Sequence, residues 1–238
     1  MRRAIKSLLV IVRSILGSRF GRPQYRRVWN EMSATEDAAK MAVGGFTDEA
    51  AYRATGEATR DLLQHCVGIG ASDVVLEIGA GVGRVGAVLA PLCREWIGGD
   101  VSDNMVRHIS ARLRKFPNVR TVRLSGYDLA PIPSGSVDVV YCTVVFMHLD
   151  EWDRFGYVQE GMRVLRPGGR MLVDNVNLLS DAGWAFFERH RAIPPDLRPS
   201  HISRTSTPQE LETYFRRAGF RDVRQRENGE FVAVYGVK

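Results

Sequence analysis

The sequence predicts a doubly wound α/β domain with a mostly parallel sheet. Three observations predict it. First, Val74, Val75, Leu76 and Ile78 form an apolar run that fits a strand buried on both faces; glycines at 79, 81, 83 and 86 follow, then Val85, Val88 and Leu89 at helical spacing. Second, strand-like runs near 96–100, 118–124, 137–143 and 170–175 alternate with helical segments. Third, the chain ends on two strands, about 222–227 and 230–237, with Asn228-Gly229 as a hairpin turn between them.

At 238 residues, 45% apolar and 25% charged, the chain suits one domain with a full core and small extras. We divide it into a basic arm and lead-in over 1–46 and a folded domain over 47–238. The net charge of +6 is unevenly placed. Residues 1–30 hold eight of the 33 basic residues and none of the 27 acidic ones, leaving 25 basic against 27 acidic in the remainder. The domain itself therefore lacks the broadly basic face that nucleic-acid binding requires. Cys66, Cys93 and Cys142 are odd in number and widely spaced. They form no metal pattern and no disulfide framework, which predicts a reducing, cytoplasmic setting.

In chain order, residues 4–16 fit an amphipathic helix. Ile5, Leu8, Leu9, Ile11, Val12, Ile15 and Leu16 share one face, and Lys6 and Arg13 lie opposite. The helix is too short to span a bilayer. Peripheral contact with an anionic inner-membrane surface and packing on the domain or on a second subunit are both compatible with it. Residues 17–46 read as an irregular lead-in with Tyr25, Trp29 and Phe46. A helix begins at Thr47, with Asp48 and Glu49 favouring its positive end, and runs towards Val67.

The glycine turn admits two frames. Gly81-x-Gly83-x-x-Gly86 with Asp100 downstream matches a dinucleotide fingerprint. Glu77-x-Gly79-x-Gly81-x-Gly83, with an acid inside the strand end, resembles motif I of the class I S-adenosylmethionine-dependent methyltransferases. The blocks Trp96-Ile97-Gly98-Gly99-Asp100-Val101-Ser102, Val137-Asp138-Val139-Val140-Tyr141-Cys142-Thr143 and Arg163 to Val173 resemble that family's second, fourth and fifth strands, in family order. Residues 74–175 carry the resemblance well and 207–238 moderately. A short-chain dehydrogenase would need a Tyr-x-x-x-Lys pair, and no tyrosine here has Lys four residues on. We therefore adopt the methyltransferase frame.

The resemblance implies a seven-stranded sheet in the order 3-2-1-4-5-7-6, the last strand antiparallel, with S-adenosyl-L-methionine across its carboxyl edge. Gly79, Ala80, Gly81 and Gly83 would lie beneath its methionine part, with Glu77 orienting the loop. Asp100 would hold the ribose hydroxyls, beside Val101, and Met105 would pack on the adenine. Ser125, Gly126 and Tyr127 occupy the adenine-edge position, although relatives often carry an Asp where this chain has Ser125. Thr143 ends the fourth strand at the same edge. Gly56, in the helix from 47, would lie near the cofactor's carboxylate or simply serve helix packing.

Ser102 can cap the next helix, and a further helix spans 150–165 with Trp152, Phe155, Val158, Met162 and Leu165 as its core face. His148, just before it, is the candidate general base; a helix-start histidine bonded to backbone is the alternative. Residues 176–206 read as a lid insertion bearing Trp184, Phe186 and Phe187 with Arg189, His190, Arg191, Arg198, His201 and Arg204. A capped start at Thr207-Pro208-Gln209-Glu210 opens the last helix.

These features together predict a methyltransferase acting, by preference at oxygen, on a small-molecule, sugar or lipid-linked acceptor. No metal and no nucleic-acid partner are expected. The alternatives are an RNA or protein methyltransferase that grips its partner with the basic arm, and an inactive scaffold of the same fold.

Overall fold

The computed structural model describes residues 25–238. The amphipathic helix expected at 4–16 and the start of the lead-in lie outside the described residues. Seven strands, β1 Val74–Ile78, β2 Glu95–Asp100, β3 Val119–Arg123, β4 Val137–Cys142, β5 Leu165–Val176, β6 Arg221–Asn228 and β7 Phe231–Val237, form one sheet in the order β3-β2-β1-β4-β5-β7-β6. β7 is antiparallel to β5 and β6, and the remaining pairs are parallel. The expected fold class and strand order are those observed.

The helices are α1 Tyr25–Met32, α2 Glu36–Gly44, α3 Glu49–Cys66, α4 Gly86–Leu89, α5 Asp103–Arg112, α6 Glu151–Val164, α7 Asp181–Arg191 and α8 Pro208–Ala218. Side-chain alternation along the strands divides the core between the two faces of the sheet. Val74, Leu76 and Ile78 pack with Tyr157 and Val158 of α6 and Leu211 and Phe215 of α8. Val75, Trp96 and Tyr141 face the other way, against Leu62 and Leu63 of α3 and Ile109 of α5. All of these residues are buried.

The caps follow the sequence closely. Asp48, one residue later than expected, accepts from the amide of Ala51; Ser102, Asp150 and Thr207 accept from Met105, Asp153 and Glu210. Three elements differ from the sequence reading. The described part of the lead-in is helical. Thr35 caps α2 with two acids in its first turn, and Gly45, at φ +72°, closes it. The helix after the glycine turn is only four residues long, because Pro91 follows and the chain tightens into a 3-10 turn. In α6 the phase is shifted: Trp152 is 74% exposed, while Asp153 and Arg154 are buried. Partners explain the inversion. Tyr25 Oη donates to Asp153, and Arg154 donates to the Phe146 carbonyl, Ser206 and Glu210.

The segment 176–206, expected as a lid insertion, holds α7 and a 3-10 turn. Ser180 caps α7, and Asn177 bridges to Ser206, which closes the insertion at its base. Phe186 turns inward onto Met147 and Val176, whereas Trp184 is half exposed. Among the described residues no helix is long and apolar enough to cross a membrane.

Candidate active site

The glycine loop leaves β1 at the carboxyl edge of the sheet. The amides of Gly79 and Ala80 both donate to the Gly99 carbonyl, at 2.8 and 3.0 Å, which pins the loop to the end of β2. Gly79 and Gly81 sit at φ +74° and +57°, where an L side chain is strained. Cβ atoms added there would run into the methyls of Val145 and Val43 respectively.

Asp100 is the last residue of β2. Its two carboxylate oxygens accept from the amides of Gly81 and Ser102, both at 2.9 Å. Burial pushes its pKa up to about 6, against the pull of the Ser102, Gly81 and Val101 amides. The side chain therefore fixes the loop and also lines the adjacent cavity.

That cavity joins seven of the residues expected for cofactor binding, Gly79, Gly81, Asp100, Val101, Met105, Gly126 and Thr143, to His148. Leu124 and Tyr157 complete its apolar wall, Tyr25 and Trp29 enter from α1, and Val43 enters from α2. Sequence reasoning assigned no role to Val43, Leu124 or Tyr157, since each reads as ordinary apolar core. Among the described residues no cluster of His, Cys, Asp and Glu is placed to hold a metal ion.

The other expected residues are placed elsewhere. Glu77 shares the sheet face of Val75 and accepts from Tyr141 Oη at 2.5 Å, while Trp96 Nε1 donates to the same hydroxyl at 3.0 Å. Burial raises the Glu77 pKa to about 8. Glu77 thus supports the loop from behind rather than lining the cavity. Ala80 and Gly83 sit within the loop turn, the Gly83 amide donating to the Ala80 carbonyl. Ser125 Oγ accepts from the amides of Tyr127 and Asp128 and so shapes its own loop; Ser125 and Tyr127 line a separate surface groove. Tyr25 and Trp29 of the lead-in line the cavity, whereas Tyr52 of α3 lies in a small core with Ala39, Val82 and Met105.

His148 closes a 3-10 turn after β4. Its Nδ1 lies 2.9 Å from the His201 carbonyl, which can only accept, so Nδ1 carries the proton and Nε2 the lone pair. Burial pulls its pKa down to about 4, which keeps the ring neutral near pH 7. Trp29 meets it edge-on at 4.9 Å. The 176–206 segment backs this turn, since the Arg204 amide donates to the Met147 carbonyl at 2.7 Å.

Two further features border the cavity. Thr143 Oγ1 is buried without a hydrogen-bond partner. Val144 has φ +61°, an outlier for a β-branched residue that costs about 1–3 kcal/mol. A buried carboxylate, a buried unpartnered hydroxyl, a glycine cradle and an apolar slot suit a ligand that carries a sugar diol and a flat base.

A methyltransferase-domain family profile matches residues 76–173. A Mycolicibacterium smegmatis protein named "Probable S-adenosylmethionine-dependent methyltransferase" is 37% identical over 146 residues, covering 61% of this chain and 51% of that protein. A demethylmenaquinone methyltransferase from Tropheryma whipplei is 28% identical over 150 residues, covering 63% and 58%. The chain thus spans about half the length of the first of these relatives. A solved S-adenosylmethionine-dependent methyltransferase from Aquifex aeolicus superposes with TM-score 0.60 at 19% identity, covering 83% of this chain and 97% of that one, which shows a shared fold. With the order of the strand blocks and the sheet topology, these matches show a methyltransferase domain over residues 76–173, similar to those of the class I S-adenosylmethionine-dependent methyltransferases.

Proposed function

We propose that this chain methylates an uncharged small-molecule, sugar or lipid-linked acceptor at oxygen, with S-adenosylmethionine as donor. The observation that carries this reading is the placement of a neutral His148 in the same apolar cavity as Asp100 and the glycine loop. The residues fit the cofactor. Asp100 takes the ribose hydroxyls, Val101, Met105 and Leu124 hold the adenine, and the Gly126 amide serves a ring nitrogen. Thr143 Oγ1 supplies the remaining polar contact.

The bound cofactor supplies a methyl group on a sulfonium, already a strong electrophile. The protein's work is then alignment and exclusion of water, to which Tyr25, Trp29 and Val43 contribute. His148 takes the proton of the acceptor hydroxyl at Nε2, while the His201 carbonyl holds the ring by Nδ1. The name of the Tropheryma relative specifies demethylmenaquinone as acceptor, and contact of residues 4–16 with a membrane would suit an acceptor of lipid-linked kind. RNA or protein acceptors would depend on the basic arm. The apolar lining of the cavity favours a small neutral group.

The test is calorimetric titration with S-adenosylmethionine, S-adenosylhomocysteine and NAD, followed by transfer of labelled methyl to lipid and small-molecule extracts. Binding of the sulfur compounds alone is expected, and binding of NAD alone would reverse the choice of glycine frame. His148→Gln should lower labelling of a hydroxyl acceptor by about 10²–10⁴-fold with unchanged affinity for S-adenosylhomocysteine. Undiminished labelling would remove the base.

A further inference from the structure

β4 and β5 pair in parallel with Cys142 opposite Val173, so Thr143-Val144 leave the end of β4 beside Asp174, which continues in β5 opposite Ala233 of β7. The Val144 amide donates to Asp174 Oδ1 at 2.6 Å. Asp174 is 5% exposed, and it is a carboxylate for which the reading of the site so far has no use. Val144 is held at φ +61°, a backbone state that a β-branched residue keeps only when its surroundings impose it. Thr143, Val144 and Val145 all line the cavity, and the Thr143 hydroxyl is the buried polar group there without a partner. Strain of this kind gathers at ligand sites, where it pre-sets a geometry before the ligand arrives.

We propose that Asp174 is a positioning residue of the cofactor cleft: by holding the Val144 amide it maintains the left-handed turn that sets the Thr143 hydroxyl and the Val144-Val145 segment against the ligand. This rests on reading the cleft as an S-adenosylmethionine site. The Asp174 carboxyl oxygen holds the Val144 amide in place, and a β-branched side chain does not relax into this conformation unaided. If the role of Asp174 is to impose that conformation, a residue that adopts it without strain should make Asp174 dispensable. Val144→Gly introduces such a residue. A purely structural role for a buried carboxylate predicts no such dependence on position 144.

The experiment is calorimetric binding of S-adenosylhomocysteine to the full chain, with thermal melting alongside, for Asp174→Ala, Asp174→Asn, Val144→Gly and the two double variants. Asp174→Ala should weaken binding about tenfold, and Val144→Gly, which removes a side chain that lines the cavity, serves as the reference for its own double variants. In the Val144→Gly background the Asp174→Ala effect should shrink to about threefold or less. Asp174→Asn keeps the size and one acceptor oxygen; its loss should be smaller and should likewise vanish in the Val144→Gly background, and it carries the test if Asp174→Ala does not fold. Equal losses with and without Val144→Gly, or parental affinity in both single Asp174 variants, would overturn the proposal. A parent protein that binds no S-adenosylhomocysteine would instead overturn the reading of the cleft, and this proposal with it.

Discussion

Asp100 shows how one side chain serves two purposes. Its oxygens each hold a backbone amide, Gly81 on one side and Ser102 on the other, so the carboxylate shapes the loop before any ligand binds. Its remaining lone pairs stay available to the cavity. Asp100→Asn leaves one acceptor oxygen but turns an N–H₂ group towards an amide donor, while Asp100→Ala removes both acceptors. Either should weaken S-adenosylhomocysteine binding by about 1–3 kcal/mol, read by calorimetry. Undiminished affinity would take Asp100 out of the site. The position was legible in the sequence because a glycine turn followed by an acid at the end of the next strand is the pattern of a ribose-binding site. Asp174 was not legible in the same way. Its meaning depends on the φ of Val144, and valine is among the residues least expected at a positive φ. Ser125 was legible as a position but not as a role, since two local amides claim its hydroxyl.

Among the elements, α3 bears directly on the site because Gly56 lets it approach the glycine loop. A Cβ at Gly56 would stand 2.8 Å from the Arg84 carbonyl oxygen, a backbone atom that cannot swing aside. Gly56→Ala gains about 1 kcal/mol of helix propensity, yet forcing the helix off the loop costs about 1–3 kcal/mol. We expect a lower Tm, by about 2–4 °C per net kcal/mol lost, together with weaker cofactor binding. Gly70→Ala is the control, since its Cβ would meet only Asp73 at ordinary contact distance. A Gly56→Ala protein as stable and as tightly binding as the parent would show that α3 and the loop are not in close register. The strands and capped helices were legible because their signals are local: apolar runs, Ser102, Asp150, and Thr207-Pro208. α1, α2 and α7 were not, because each is short and its burial comes from contacts far away in sequence. Tyr25 reaches Asp153, Asn104 donates to the Asn30 carbonyl, and Phe186 packs on Met147. The misplaced phase of α6 has the same origin, since distant partners make Asp153 and Arg154 inward residues.

At the scale of the whole molecule, the candidate site concentrates buried carboxyl groups in one sheet edge. Burial raises the pKa of Asp100 to about 6, of Asp174 to about 7 and of Glu77 to about 8. A carboxyl whose folded pKa lies above its unfolded value stabilises the fold at low pH, and that contribution is lost as pH rises through the folded value. His148 acts in the opposite sense. Its pKa falls from 6.5 to about 4, so its contribution is present above pH 6.5 and lost as pH falls towards 4. Between pH 4 and 6.5 the histidine therefore offsets the aspartates. Above pH 7 Glu77 dominates this group, because it stays largely protonated in the folded chain and is ionised in the unfolded one. The ligand-free protein should lose stability at about 1 kcal/mol per pH between 7 and 8, read as a falling Tm. Glu77→Gln keeps an acceptor for Tyr141 Oη but has no proton to lose, so its Tm should fall much less over the same range, with only the end of the Asp174 titration left. A parent protein with a flat profile there, or a Glu77→Gln variant that falls as steeply, would show that Glu77 is ionised in the fold. The loop would then rest on a buried charge rather than on a neutral acid bonded to Tyr141.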